Sequence, residues 1–503
     1  MKSDSTYTGF SFLTIFVFLA FRLFYIATTP YDLIADEAYF WDWSRHPDLS
    51  YYDMGPMVAW IIRFFTSLVT TSEFSVRMAA PIFSCMTAVV FYKLVSEIQD
   101  SKKLTFYTIL LFHVTPIATA GGVIITYYTP QFFFMTVTAF FMWRLIKENK
   151  GFWWYLIGLS TGLGFLSHHL FAVFSAEIVL FILLSPHQRK WLFRKEPYLG
   201  LAIELLVASP VFIWNMTHQA VMAKHAIGLM GGGNPFQLFG DFLAGQAAIQ
   251  TPLLFAAVLY GLWVSGYRGL KHKEDLHLLL FCLSAPLLLF IALLSLAGRT
   301  EANWPVSAYV TGSIAAVMAI NGLYDHGTRL RKRLITGGIC FTLSLGVFTM
   351  CIATYPGLLS VFGVSLPPRL DPANRLYGWE EMGKEVSAQL ASLPGDSFIS
   401  ARDYGMAALL AFYVEGRPKV YAIPDGRRMS QYDFWNGGLS VKGKDALFVD
   451  LRKMRPKTQV FFNRIELAKK LMITTDDGGA VRKNIYIYKC YGYKEASENP
   501  TSY

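Results

Sequence analysis

The chemistry this chain could perform is concentrated between residues 28 and 75, where carboxylates stand among aromatic rings. The run Ala35-Asp36-Glu37-Ala38-Tyr39-Phe40-Trp41-Asp42-Trp43 is followed by Pro47, and then by Tyr51-Tyr52-Asp53-Met54-Gly55-Pro56. A carboxylate beside an apolar surface can take a proton from a hydroxyl, and burial raises its pKa toward a useful range. The competing reading is structural: Asp36 or Glu37 caps or solvates a surface helix. As a helix, Asp36, Tyr39 and Trp43 share one face and Glu37 and Trp41 another. Pro47 ends it. So many rings beside acids suit a helix lying flat at a membrane surface, with the rings toward lipid headgroups.

The elements that must position these acids are set by composition. The 503 residues are 53% hydrophobic and only 16% charged, against roughly a quarter charged in a soluble protein. Apolar runs long enough to cross a bilayer recur up to residue 355 and then stop. They fall at 10–27, 76–94, 104–120, 127–143, 152–166, 169–184, 198–214, 247–264, 276–296, 305–320 and 334–355, about eleven helices. Arg22 interrupts the first run and no small-residue cleavage site follows, so it reads as a retained anchor rather than a signal peptide.

The connections alternate in charge. Lys102 and Lys103, Lys147 and Lys150, Arg189 to Lys195, Lys271 and Lys273, and Arg329 to Arg333 mark the cytoplasmic side. The long segments 28–75 and 215–246 and the short one 298–304 then lie outside, as does everything after residue 355. The net charge of +10 sits beside the apolar runs, which marks topology and argues against nucleic acid. Five cysteines fit neither a disulfide framework nor a zinc site.

From residue 356 the pattern changes. Residues 378–393 read as an amphipathic helix ended by Pro394-Gly395. Residues 397–400, 419–422 and 446–449 read as short strands, with a helix at 405–414. The expectation is an α-helical polytopic membrane protein, with residues 1–355 as the membrane domain carrying the reactive outer loop 28–75. Residues 356–503 form a soluble extracytoplasmic α/β domain.

Asp36-Glu37 after the first membrane helix, the aromatic helix and the Tyr-Tyr-Asp-x-x-Pro return resemble the lipid-carrier glycosyltransferases of the GT-C fold. Most similar are bacterial members of the protein O-mannosyltransferase and lipid A aminoarabinose transferase superfamily. Further matches follow in order at Pro210 to Asn215, Gly245-Gln246, Glu301-Ala302-Asn303-Trp304-Pro305, Asp371-Pro372, Leu376 to Trp379, Phe412-Tyr413 and Ser430 to Trp435. The resemblance implies a polyprenyl-phosphate sugar donor and a base at Asp36, with Glu37 beside it. It also implies an envelope lipid, glycan or protein acceptor, inversion at the sugar carbon, and a bacterial inner membrane location. The aminoarabinose transferases carry Glu-Lys-Pro where this chain has Asp53-Met54-Gly55-Pro56. Many relatives have Thr-Pro-Asp where it has Thr129-Pro130-Gln131, and Ser-Lys where Ser167 precedes His168.

A departing lipid phosphate needs cations or N–H donors. Arg299, beside Glu301 and Asn303, is the first candidate. Lys224 and His225 stand in a loop with Gly231-Gly232-Gly233. Each has a plain reading as well: Arg299 as a snorkelling or topology arginine, Lys224 as part of a solvated loop. His168 could contribute a single metal ligand with Asp36 or Asp53, or be a packed histidine. Some relatives use a divalent cation and others none, and this sequence requires none. There is no glycine-rich phosphate cradle after a strand and no Asp-x-Asp, and Asp476 to Gly479 reads as a turn. A transporter would place its ionisable groups at the bilayer midplane in matched halves, which this chain lacks. A non-enzymatic membrane scaffold is the remaining alternative.

Overall fold

Gly158 and Gly162 lie about one turn apart on the helix Phe152–Phe165, and they let a second helix come very near. In the computed structural model that neighbour is Lys195–Thr217. A Cβ at Gly158 would lie 2.0 Å from the Gly200 carbonyl oxygen. The same device recurs where Gly261 of Pro252–Lys271 meets the backbone of Ala315 in Ala308–Asp325. Backbone contact of this kind replaces the hydrophobic drive that lipid cannot supply. The structure describes residues 4–222, 224, 233–355, 358, 371–435, 441–474 and 481–494.

Six described helices are long and apolar enough to cross a membrane: Asp4–Thr28, Glu73–Ile98, Lys195–Thr217, Pro252–Lys271, Asp275–Ala297 and Arg329–Thr354. Phe16, Leu206 and Trp263 on these helices are all more than half exposed, as lipid-facing side chains should be. The polytopic helical class holds. Some expected spans are shorter, such as Phe152–Phe165 and Phe171–Leu184. Others are divided. The expected span 104–120 breaks into Lys102–Val114 and Pro116–Gly121. The span 276–296 breaks between Asp275–Cys282 and Ala285–Ala297, and 247–264 between Pro235–Gln250 and Pro252–Lys271. One cause serves all three: a proline (Pro116, Pro286, Pro252) in the first turn of the second piece. Thr251, ahead of Pro252, takes φ +72°, strained for a β-branched residue.

The chain divides into two compact units. The first holds Met1–Ala27, Met54–Val58 and Arg77–Tyr355; the second holds Thr28–Asp53, Ala59–Val76 and Pro356–Tyr503. The acidic, aromatic segment after the first helix therefore belongs with the C-terminal part of the chain. That part is α/β. Its sheet has the order β2-β1-β3-β5-β4, with β1 Phe398–Ala401, β2 Val420–Ala422, β3 Ala446–Asp450, β4 Phe462–Thr474 and β5 Val481–Tyr493. β1 pairs in parallel with β2 and β3, while β5 is antiparallel to β3 and β4. The helices Trp379–Leu390 and Tyr404–Tyr413 and the first three strands match the sequence expectation within a few residues. β4 and β5 were not anticipated, and the turn expected at 476–479 lies outside the described residues.

Candidate active site

The helix Ala35–Arg45 forms where expected. Its surroundings differ. Tyr39, Phe40, Trp41 and Trp43 are all buried in protein rather than turned to lipid. Trp41 meets Phe412 edge to face at 4.8 Å, and Tyr39 lies 4.6 Å from Tyr404 and 5.9 Å from Tyr432. Rings this large gain more from close packing inside the unit than from the interface. Gly405 makes the approach possible: a Cβ there would sit 2.9 Å from that of Ala35.

Asp36 and Glu37 are adjacent but point to different tasks. Glu37 is fully buried, and its Oε2 accepts a hydrogen bond from the Ile34 backbone N–H at 3.1 Å, closing the first turn of the helix. Asp36 is half-buried and lines a cavity of about 350 Å³ with Arg375, Trp379, Asp403, Tyr404 and Lys483. Tyr404 Oη donates to Asp36 Oδ1 at 3.1 Å. Asp403 places that tyrosine, because its carboxylate caps the helix Tyr404–Tyr413 through Met406 N–H at 3.0 Å. Burial, with the Asp36 charge next, holds the Tyr404 phenol well above its usual range. The tyrosine therefore stays a hydrogen-bond donor.

Lys483 comes from β5. Its Nζ donates to the Asn374 carbonyl at 2.5 Å and stands 3.7 Å over the Trp379 ring. Burial pushes this ammonium down to about 8, opposed by the nearby Asp32. Asp32 accepts from the Trp379 N–H at 2.6 Å, which ties the loop before the Ala35–Arg45 helix to the helix Trp379–Leu390. Asp53 has one carboxylate oxygen buried without a hydrogen-bond partner. Burial pushes its carboxyl up to about 7, the Asp36 charge adds to the rise, and Arg428 opposes it. Asp36 and Asp53 thus share one electrostatic neighbourhood.

Three comparisons bear on this arrangement. A family model described as dolichyl-phosphate-mannose-protein mannosyltransferase matches residues 46–214. Lipid A galacturonosyltransferase RgtD of Rhizobium johnstonii is 27% identical over 435 residues, 84% of this chain and 86% of the relative. ArnT from Cupriavidus metallidurans in the apo state superposes with a TM-score of 0.63 at 12% identity, over 95% of this chain and 97% of ArnT. ArnT bound to undecaprenyl phosphate gives 0.62 at 12% identity, over 96% and 98%. The chain has the GT-C fold.

Within this GT-C chain the other sequence candidates lie in the helical unit. Arg299 pairs with Glu301 at 3.7 Å, and both are well exposed. Lys224 is an exposed helical residue, while its neighbours His225, Gly231 and Gly232 lie outside the described residues. His168 is buried. Its Nδ1 accepts from the Leu170 N–H at 3.0 Å and its ring stacks on Tyr127 and His169. Among the described residues no group of three metal-ligating side chains converges. Asn303 lines a different cavity, with its Oδ1 buried and unpaired.

Three polar side chains of the C-terminal part serve the fold. Arg427 is buried against Asp433 at 2.7 Å, Tyr432 Oη donates to Asp42 at 2.5 Å, and Tyr413 Oη donates to Glu73 while accepting from Leu33 N–H at 2.6 Å. Sequence reasoning missed Trp379, Asp403 and Lys483 as cavity residues. The alternation in Asn484-Ile485-Tyr486-Ile487-Tyr488 was the signal that could have placed Lys483 on a strand.

Proposed function

We propose that this chain is an integral membrane glycosyltransferase that moves a sugar from a polyprenyl-phosphate donor to an envelope acceptor on the outer membrane face. The observation that carries this is the Asp36 carboxylate, set in a saccharide-sized cavity and oriented by the Tyr404 hydroxyl. Asp36 takes the proton of the acceptor hydroxyl as its oxygen attacks the anomeric carbon. The bond from that carbon to the phosphate oxygen breaks, and the polyprenyl phosphate leaves with the electron pair. Attack opposite the leaving group inverts the sugar carbon. Glu37 holds the helix that carries the base. Arg375 and Lys483 give the cavity cations for an anionic part of the donor.

RgtD acts on lipid A, as its name states, and ArnT was captured with undecaprenyl phosphate. Lipid A is accordingly the first acceptor to test and a polyprenyl-phosphate galacturonic acid the first donor. Purified protein in nanodiscs is incubated with the labelled donor and an envelope extract. Transfer is expected, with Asp36→Asn slowed by about 10²–10⁴-fold while its melting temperature is unchanged. Transfer undiminished in Asp36→Asn would place the base elsewhere. Movement of solute across vesicles without any acceptor would make the protein a transporter instead.

A further inference from the structure

The cavity beside Asp36 lies at a particular place in the sheet. β2 and β3 flank β1 on opposite sides, and all three run parallel. The winding therefore reverses around β1, which opens a crevice at the carboxyl ends of these strands, where α/β sheets take ligands. Asp403, Tyr404 and Gly405 follow β1, Leu451 follows β3, and all four line the cavity. Two helices also begin at its wall, Ala35–Arg45 and Tyr404–Tyr413, and helix N-termini carry partial positive charge. Arg375 and Lys483 add two full charges, and among the described residues neither forms an ion pair.

The acids nearby are already engaged within the fold. Asp403 accepts from the Met406 N–H, Asp32 from the Trp379 N–H and Asp36 from the Tyr404 hydroxyl. Lys483 by contrast holds only neutral partners, the Asn374 carbonyl and the Trp379 ring. These take two of its three N–H directions and leave one for a ligand acceptor. A donor could bring two anions, the carrier phosphate or a carboxylate on the sugar itself. In a displacement that inverts the sugar carbon, base and phosphate stand on opposite faces of that carbon. Cations that share a wall with Asp36 are thus turned to the sugar ring and away from the leaving phosphate. The apolar part of the lining, Ile34, Met406, Leu409 and Leu451, is also too short to follow a prenyl chain. A carboxylate on the ring meets both conditions, and an arginine fork beside an ammonium matches its two oxygens.

We infer that Lys483 and Arg375 select the sugar, pairing with a carboxylate on its ring and so admitting a hexuronate in preference to a neutral hexose. This rests on the donor reading above, and affinity can be measured apart from transfer. Equilibrium binding of polyprenyl-phosphate galacturonate and polyprenyl-phosphate galactose is measured on the full chain in nanodiscs. The two donors share the carrier phosphate and differ at the sugar's sixth carbon alone. Wild type is expected to bind the uronate donor at least about tenfold more tightly. Lys483→Met is expected to bring that ratio to within about threefold. Lys483 is half-buried, so Arg375→Gln, at an exposed position, is measured beside it and should narrow the ratio too. A narrowed ratio in either variant supports the assignment. A protein that keeps the preference but transfers neither sugar would fault the catalytic reading alone. Three outcomes overturn the inference: wild type binding both donors equally or neither, an unchanged ratio in both variants, or equal weakening of the two donors. The last would set the carrier phosphate, and not the sugar, against these cations.

Discussion

At the residue scale, Asp53 offers a test that does not depend on knowing the substrates. Its carboxyl is pushed up to about 7 by burial, with the Asp36 charge adding to the rise. The folded state therefore holds a proton on Asp53 that the unfolded chain, with a carboxyl near about 4, releases. The sign follows directly. This contribution to stability is fully present below about pH 4 and is lost as pH rises through about 7. Thermal unfolding followed from pH 5 to 8 should show the melting temperature falling across that window. Asp53→Asn, which is neutral throughout, should flatten the fall. An equal slope in both proteins would mean that Asp53 titrates as an ordinary carboxylate. The contrast with its sequence neighbours is one of surroundings: Asp36 meets a phenol donor, whereas an oxygen of Asp53 meets no donor.

At the scale of elements, the pair Asp36-Glu37 separates the two roles that the sequence left open for either residue. Glu37 secures the first turn of the helix Ala35–Arg45, and Asp36 projects into the cavity from that turn. Glu37→Ala should cost about 1–2 kcal/mol of stability, as loss of a helix-start carboxylate usually does. Glu37→Gln keeps an oxygen for the Ile34 N–H and should retain most stability and most transfer. If Glu37→Gln lost transfer as fully as Asp36→Asn with stability intact, Glu37 would be acting on the reacting groups instead. The helix itself was legible because Asp36, Tyr39 and Trp43 keep helical spacing and Pro47 stops it. Its partners were not, since nothing local says that Trp41 will meet Phe412 or that Tyr39 will accept from the Gln431 N–H. The same limit explains β4. The alternation Arg464-Ile465-Glu466-Leu467 breaks at Ala468-Lys469-Lys470, where the register shifts, and the long pairing with β5 defines the strand. Membrane helices were legible as apolar runs, but hydropathy passes smoothly over Thr115, Thr251 and Ser284, where a following proline divides them.

At the scale of the whole molecule, the second unit is assembled from three separate stretches of chain, and this bears on how it can be studied. Residues 356–503 look by composition like an excisable soluble domain. The structure makes them part of a larger core. The Gln431 N–H donates to Tyr39 Oη at 2.7 Å, and Gln431 Oε1 accepts from the Tyr52 N–H at 2.7 Å. Tyr432 reaches Asp42, and Tyr413 accepts from the Leu33 N–H. The Arg417 guanidinium donates to the Thr71 carbonyl at 2.9 Å and its carbonyl accepts from Arg45 at 2.7 Å. Removing residues 28–76 would leave these buried polar groups unpaired and expose the apolar helix Tyr404–Tyr413, whose residues Met406 to Phe412 are almost wholly buried. An isolated 356–503 fragment should therefore show poorly dispersed amide resonances and aggregate on concentration. The sheet hydrophobic cluster around Phe398, Phe448 and Tyr493 is intrinsic to the fragment, so β-structure should persist by circular dichroism. A well-dispersed, monomeric fragment would mean that the segment 28–76 docks onto a finished domain instead of completing it.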